Sequence, residues 1–232
     1  MSAAIEVTLI DHMGTDLSVV NAARVSFEKE STWDLAVDIN DNYEASTIKK
    51  LSPADTKLVN YLAKHKHTSP FNHAFATFRV KAPIFVARQL VKHKFMPWNE
   101  VSRRYVSSAP EMYAMEWREA AENVKQGSGG ALTGVVLKVA NEIFDNLINH
   151  SLYAYKDLLE LGVCPEQARA ALLLNTMTEW IWSGSLGAIA DMCILRLDNH
   201  SQAESRTVAA LIANELEDLY PVSWAALMGV NT

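Results

Sequence analysis

Residues 74–105 read A-F-A-T-F-R-V-K-A-P-I-F-V-A-R-Q-L-V-K-H-K-F-M-P-W-N-E-V-S-R-R-Y. Ala74, Ala76, Phe78 and Val80 alternate with Phe75, Thr77, Arg79 and Lys81. This is the period-two pattern of a half-buried strand with a polar outer side. Pro83 suits a first helical position, so the pattern predicts a helix from there through Lys94, which Pro97 must end. On that helix Arg88 and Lys92 share a face, and Gln89 neighbours Lys92. The helix carries these donors into a turn that holds Trp98, Asn99, Glu100 and Ser102. Arg88, Lys92, His93, Lys94, Arg103 and Arg104, with the amide of Gln89, crowd about one carboxylate, Glu100. The chain as a whole carries a formal charge of -6, so this cluster is a local feature that calls for a local anion. Arginine offers a planar fork and lysine a point charge, and both serve phosphate. A solvated amphipathic helix followed by a basic turn is the plain alternative.

Outward from this stretch, residues 5–10 read as a short strand and Asp16 to Phe27 as a helix. The polar stretch 28–50 is expected to be a mobile loop. Ser52-Pro53-Ala54-Asp55 starts another helix, with a capping serine, a first-turn proline and an acid three residues on. On it Leu58, Tyr61, Leu62 and His65 share a face. Gly127-Ser128-Gly129-Gly130 reads as a flexible link between a strand-containing half and a helical half. Residues ~131–161 are helical by period and stop at Gly162. Pro165 opens a helix, Ser185 to Leu197 forms another, and Ser201-Gln202-Ala203-Glu204 is a capping box for the last long one, which Pro221 ends. The expected fold is α+β: a small antiparallel-type sheet with a large helical complement, in one domain over residues 1–232.

Composition narrows the function. Apolar residues at 49% and charged residues at 21% are ordinary for a globular protein. The acidic balance argues against a nucleic-acid partner, which needs a broad basic face. No apolar run reaches the ~20 residues of a membrane span, and no secretory signal is visible. Cys164 and Cys193 make neither a disulfide framework nor a metal spacing, so a reducing cytoplasm is expected. His65, His67 and His73 lack the partners of a zinc site, and no metal is expected. Neither cysteine sits beside an activating base, and no glycine-rich elbow makes Ser102 a nucleophile. Arg169 and Arg196 stand in apolar surroundings, where each needs either an ion pair (Glu179, Asp191 or Asp198) or a bound anion.

Several motifs then point to one family. Lys92-His93-Lys94, followed after seven residues by Ser102, resembles the R-H-R-x7-S signature of the flavin-dependent thymidylate synthases. Residues 99–105 (N-E-V-S-R-R-Y) resemble its N-E-x-S-x-R-Y. The stretches 22–27 (A-A-R-V-S-F), 67–71 (H-T-S-P-F), 80–89 (V-K-A-P-I-F-V-A-R-Q) and 196–204 (R-L-D-N-H-S-Q-A-E) are similar to the family in the same order. The resemblance implies reductive methylation of deoxyuridine monophosphate (dUMP), with carbon from 5,10-methylenetetrahydrofolate and hydride from FAD, which NADPH re-reduces. It implies a homotetramer with active sites where subunits meet. Ser69, Lys92, His93, Lys94 and Glu100 would contact FAD. Gln89, Lys92, Glu100, Ser102, Arg103, Arg104, Arg169 and Arg196 would line the nucleotide site, with Ser102 a phosphate ligand. Arg196 would be the catalytic residue, set beside the uracil ring where a cation favours ionisation at N3. The chain departs from the pattern at several places. Lysines replace both signature arginines, Asn72 stands for a common Glu, and Ser185, Gly187 and Asp191 align with Asn, Arg and His. Those departures leave two alternatives: a flavin and folate enzyme that hydroxymethylates uracil, or a nucleotide-binding relative without flavin.

Overall fold

The computed structural model describes residues 3–39, 45–106, 108–122 and 127–230. Strand β1 (Glu6–Met13) leads into helix α1 (Asp16–Arg24), which continues as a 3-10 turn over Val25–Phe27. The expected loop at 28–50 is instead largely a hairpin, with β2 (Asp34–Ile39) antiparallel to β3 (Ala45–Lys50); residues 40–44 of that expectation lie outside the described residues. Its polar residues alternate with Leu35, Val37 and Ile48, a strand pattern that composition alone hides; all three are exposed. Helix α2 (Pro53–Lys64) starts as expected, with Ser52 Oγ accepting from the Asp55 N–H at 3.1 Å. Its inward face carries Asp55, Val59 and Leu62, whereas Tyr61 and His65 are exposed, with their rings tilted against each other at 4.3 Å between centroids.

Strand β4 (Phe75–Pro83) buries Ala76, Phe78, Val80 and Ala82. Helix α3 (Ile84–Leu90) is shorter than predicted. It stops one turn early because the chain reverses at Phe95, in the left-handed conformation (φ 61°), to lay β5 (Trp98–Glu100) on the sheet. The expected turn at 98–100 is therefore a strand. Short strands β6 (Arg118–Ala120) and β7 (Ser128–Ala131) pair with each other, so the glycine-rich stretch is part of a sheet and not a free link. Helix α4 (Gly134–Glu160) and the one-turn α5 (Pro165–Ala168) follow.

The largest departure is β8 (Met177–Ser185), a long strand in the half expected to be helical. Thr178, Trp180, Trp182 and Gly184 point inward, alternating with Glu179, Ile181 and Ser183. It pairs with β4 in one unbroken antiparallel register, from Phe75↔Ser185 to Pro83↔Met177, and with β5 on its other side. The sheet order is β1-β4-β8-β5, all antiparallel. On its outer face Arg79 pairs with Glu179 and Thr77 with Ser183, which assigns Glu179 a local partner. Helices α6 (Leu186–Leu197), α7 (Ala203–Leu219) and α8 (Pro221–Met228) contribute Ile189, Met192, Val208, Ile212 and Trp224 to the core under the inner face. The predicted capping box fails at Ser201, whose hydroxyl donates to the Leu195 carbonyl while Gln202 takes the cap position. Pro221 ends α7 and opens α8.

One buried acid ties the two ends of the chain together. Asp16 accepts from the N–H groups of Val222 (3.0 Å) and Ser223 (2.8 Å), capping α8 from across the sequence. Asp16→Ala orphans both donors in a dry site. It should lower stability by about 1–3 kcal/mol in urea unfolding at fixed protein concentration, with Asp16→Asn intermediate. An unchanged midpoint contradicts this role.

Candidate active site

Helices α3 and α6 grow directly from the paired strands β4 and β8 and leave from opposite ends of the pair. Their C-terminal ends meet, and Arg196 in the last turn of α6 lies against the end of α3. Its Nε donates to His93 Nε2 at 3.0 Å, and Nη2 donates to the Gln89 carbonyl at 2.9 Å. Among the described residues no carboxylate pairs with it, so the expected alternative of an ion pair with Glu179, Asp191 or Asp198 is not realised. Burial pulls Arg196 below its ordinary value. Burial, and then the Arg196 charge, push His93 down to about 4. The Gln89 amide is also committed: Nε2 donates to Gln202 Oε1, and Oε1 accepts from Ser205 Oγ at 3.0 Å. Arg88, Gln89, Lys92, Arg118 and Arg196 line one cavity of about 790 Å³, together with Asp198 and His200.

A second group forms elsewhere. Glu100, Arg103 and Arg169 line a cavity of about 140 Å³ that shares no residue with the first. Glu100 is pinned by Thr178 Oγ1 (2.7 Å) and Trp98 Nε1 (3.1 Å), both of which donate to it. Arg169 is exposed on a 3-10 turn and not in an apolar helix; its Nε donates to the Glu166 carbonyl. Beside them Ser102 Oγ accepts from Arg104 Nε at 3.0 Å. No carboxylate pairs with Arg103, Arg104 or Arg169 among the described residues. Ser69 lines a third cavity, of about 920 Å³, with Lys29, Lys66 and His67. Lys94 is exposed. A single chain thus presents the expected residues on three surfaces and does not gather them at one point.

Two features escaped the sequence reading. Arg24, in the 22–27 motif, is a structural pair with Asp55; burial works to raise Asp55, but bonds from Arg24, Ser52 and Ser31 hold it below the usual carboxylate range. Phe95, directly after the lysine–histidine–lysine motif, is 85% exposed in a left-handed conformation that non-glycine residues rarely adopt; the positive φ could not be read from the residue type. Cys193 is buried and its thiol is pushed up to about 12 by that burial, so it is not a nucleophile.

The family model described as thymidylate synthase complementing protein matches residues 8–222. The chain belongs to this family. The flavin-dependent thymidylate synthase of Thermus thermophilus is 37% identical over 226 residues, covering 95% of this chain and 74% of that protein. That of Thermotoga neapolitana is 35% identical over 222 residues, covering 96% and 90%. The crystal structure of the UMP/dUMP methylase PolB from Streptomyces cacaoi, bound with 5-Br dUMP, matches with a TM-score of 0.81 at 27% identity, covering 98% of this chain and 96% of that one. Three of the positions expected to depart from the family pattern lie together. Ser185 Oγ donates to Asn72 Oδ1 at 2.7 Å, and a Cβ on Gly187 would lie 3.0 Å from that same Oδ1. Asn72, Ser185 and Gly187 therefore form one neutral cluster, in which a side chain at position 187 would press on the Asn72 amide.

The depressed His93 gives a pH signature. Between about pH 6.5 and pH 4 the unfolded chain binds a proton at residue 93 that the folded chain refuses, so stability falls as pH drops through that window. His93→Gln should flatten part of that fall when urea midpoints at about pH 7 and pH 4.5 are compared. An identical slope in the variant contradicts the assignment.

Proposed function

We propose that the enzyme methylates dUMP at C5 to give dTMP, with 5,10-methylenetetrahydrofolate as carbon donor, FAD as hydride carrier and NADPH as reductant, in the cytoplasm. The observation that carries this reading is the fixed Arg196, free of any carboxylate in the described chain and facing a cationic cavity. The donor set suits a flavin dinucleotide. Lys92 lines the first cavity, Lys29, Lys66 and Ser69 line the third, and exposed Lys94 lies two residues beyond Lys92. Point charges suit phosphate oxygens that approach from varied directions. When bound, FAD supplies the hydride, which removes the need for a cysteine at C6 and fits the inert Cys193.

The protein residues do the rest. Arg196 sits against the uracil edge and stabilises negative charge at N3, which makes C5 electron-rich for the incoming carbon. Ser102, Arg103, Arg104 and Arg169 seat the phosphate, and Glu100 orients the nucleotide through its pinned carboxylate. Their separation from Arg196 in one chain supports a working site completed by a neighbouring subunit in a homotetramer. An apolar surface for that assembly is present. Along α4, Val135, Val139, Ile143 and Leu147 follow each other four residues apart and stay 46–77% exposed. A likeness to a UMP/dUMP methylase also makes uridine monophosphate a substrate to test beside dUMP.

Release of tritium from C5-labelled dUMP with the three cofactors, followed by mass analysis of the nucleotide, tests the reaction. Methyl-bearing product is expected; a hydroxymethyl product, or release with no product, contradicts it. Arg196→Ala should lower turnover about 10²–10³-fold with flavin still bound, the usual cost of losing a group aimed at developing charge. Unchanged turnover contradicts the role given to Arg196.

A further inference from the structure

We propose that His93 is a positioning residue that aims Arg196 without neutralising it. The proposal rests on the reading of Arg196 as the contact of the uracil edge. The guanidinium Nε always carries a proton, so the 3.0 Å bond requires a bare His93 Nε2, and the ring proton must sit on Nδ1. His93 is therefore a neutral acceptor. Its ring is half-buried beside Trp182, with the centroids 6.5 Å apart. The second acceptor, the Gln89 carbonyl, is neutral too.

That carbonyl is free because α3 ends at Leu90. In a continued helix it would accept from the N–H of residue 93, but that N–H bonds to Leu90 instead. The early end of the helix thus frees one acceptor for Arg196 and places the other, His93, beside it. The Gln89 side chain is tied to Gln202, the cap of α7, and to Ser205 on that helix, which anchors the residue whose carbonyl Arg196 uses. The result is a guanidinium held along one edge by two uncharged groups, with no carboxylate bonded to it among the described residues. A carboxylate at either position would hold the fork equally well and cancel the charge the reaction uses. The signature histidine is thereby assigned to the nucleotide side of the chemistry, through Arg196, in addition to any flavin contact.

The test is a double-mutant cycle on flavin-loaded enzyme, read as dUMP dissociation constant and as kcat/KM for tritium release. His93→Met removes the acceptor. His93→Gln restores one near the position of Nε2. His93→Met should lower kcat/KM about 10–100-fold, His93→Gln should recover most of that loss, and adding His93→Met to Arg196→Ala should change dUMP affinity less than about twofold. Equal losses in the Met and Gln variants, or an undiminished effect of His93→Met when Arg196 is absent, overturn the proposal while leaving the reaction intact. Wild-type enzyme that binds no dUMP overturns the functional reading itself, and this assignment with it.

Discussion

The site depends on the register between β4 and β8. Both strands run without a break into helices, at Pro83 and at Ser185, and each of those residues holds an extended backbone just before its helix. Because the strands are antiparallel, the two helices start at opposite ends of the pair and their far ends converge. The contact between Arg196 and residues 89 and 93 follows from that geometry. A one-residue slip would turn Trp180 and Trp182 out of the core and carry Arg196 away from its acceptors. The tryptophans guard against the slip: both are about 1% exposed, and Trp98 of β5 stacks on Trp180 with centroids 4.3 Å apart. Packing of large flat side chains in the sheet thus sets the position of a charge on a helix.

The second constraint is electrical. This chain carries more acids than bases, yet Arg103, Arg104, Arg169 and Arg196 have no carboxylate partner among the described residues. Other cations are paired: Arg24 meets Asp55, Arg118 meets Glu204, and Lys81 meets Glu111. The first four arginines are spread over surfaces that one chain does not join. Together with the apolar stripe along α4, that spread supports an assembly in which one subunit completes the site of another.

Much of this was legible in the sequence, for identifiable reasons. The alternation in 74–81, the Ser52 cap and the glycine stop at 162 are local signals, and each produced the expected element. The motif order along the chain reached the family. Other features failed where the controlling contact is distant. Strand β8 alternates as clearly as β4, but the helical readings on either side of it hid the pattern of Trp180 and Trp182. The ends of α3 and the strand at 98–100 are set by pairing with β8, which no local propensity encodes. Ser201 looks like a cap but bonds backward to α6. The acceptors of Arg196 lie more than a hundred residues away in sequence, and the sequence left an ion pair and a bound anion both open.

The central claim is that a working site joins the Arg196 surface of one subunit to the Arg169 surface of another. Mixing purified Arg196→Ala and Arg169→Ala enzymes, each of low activity alone, after subunits have been allowed to exchange, tests it. A site shared between subunits should regain tritium release from labelled dUMP, with about a quarter of the sites restored in an equal random mixture. Mixed oligomers that form and stay inactive would show that both arginines must come from the same chain, and would contradict it.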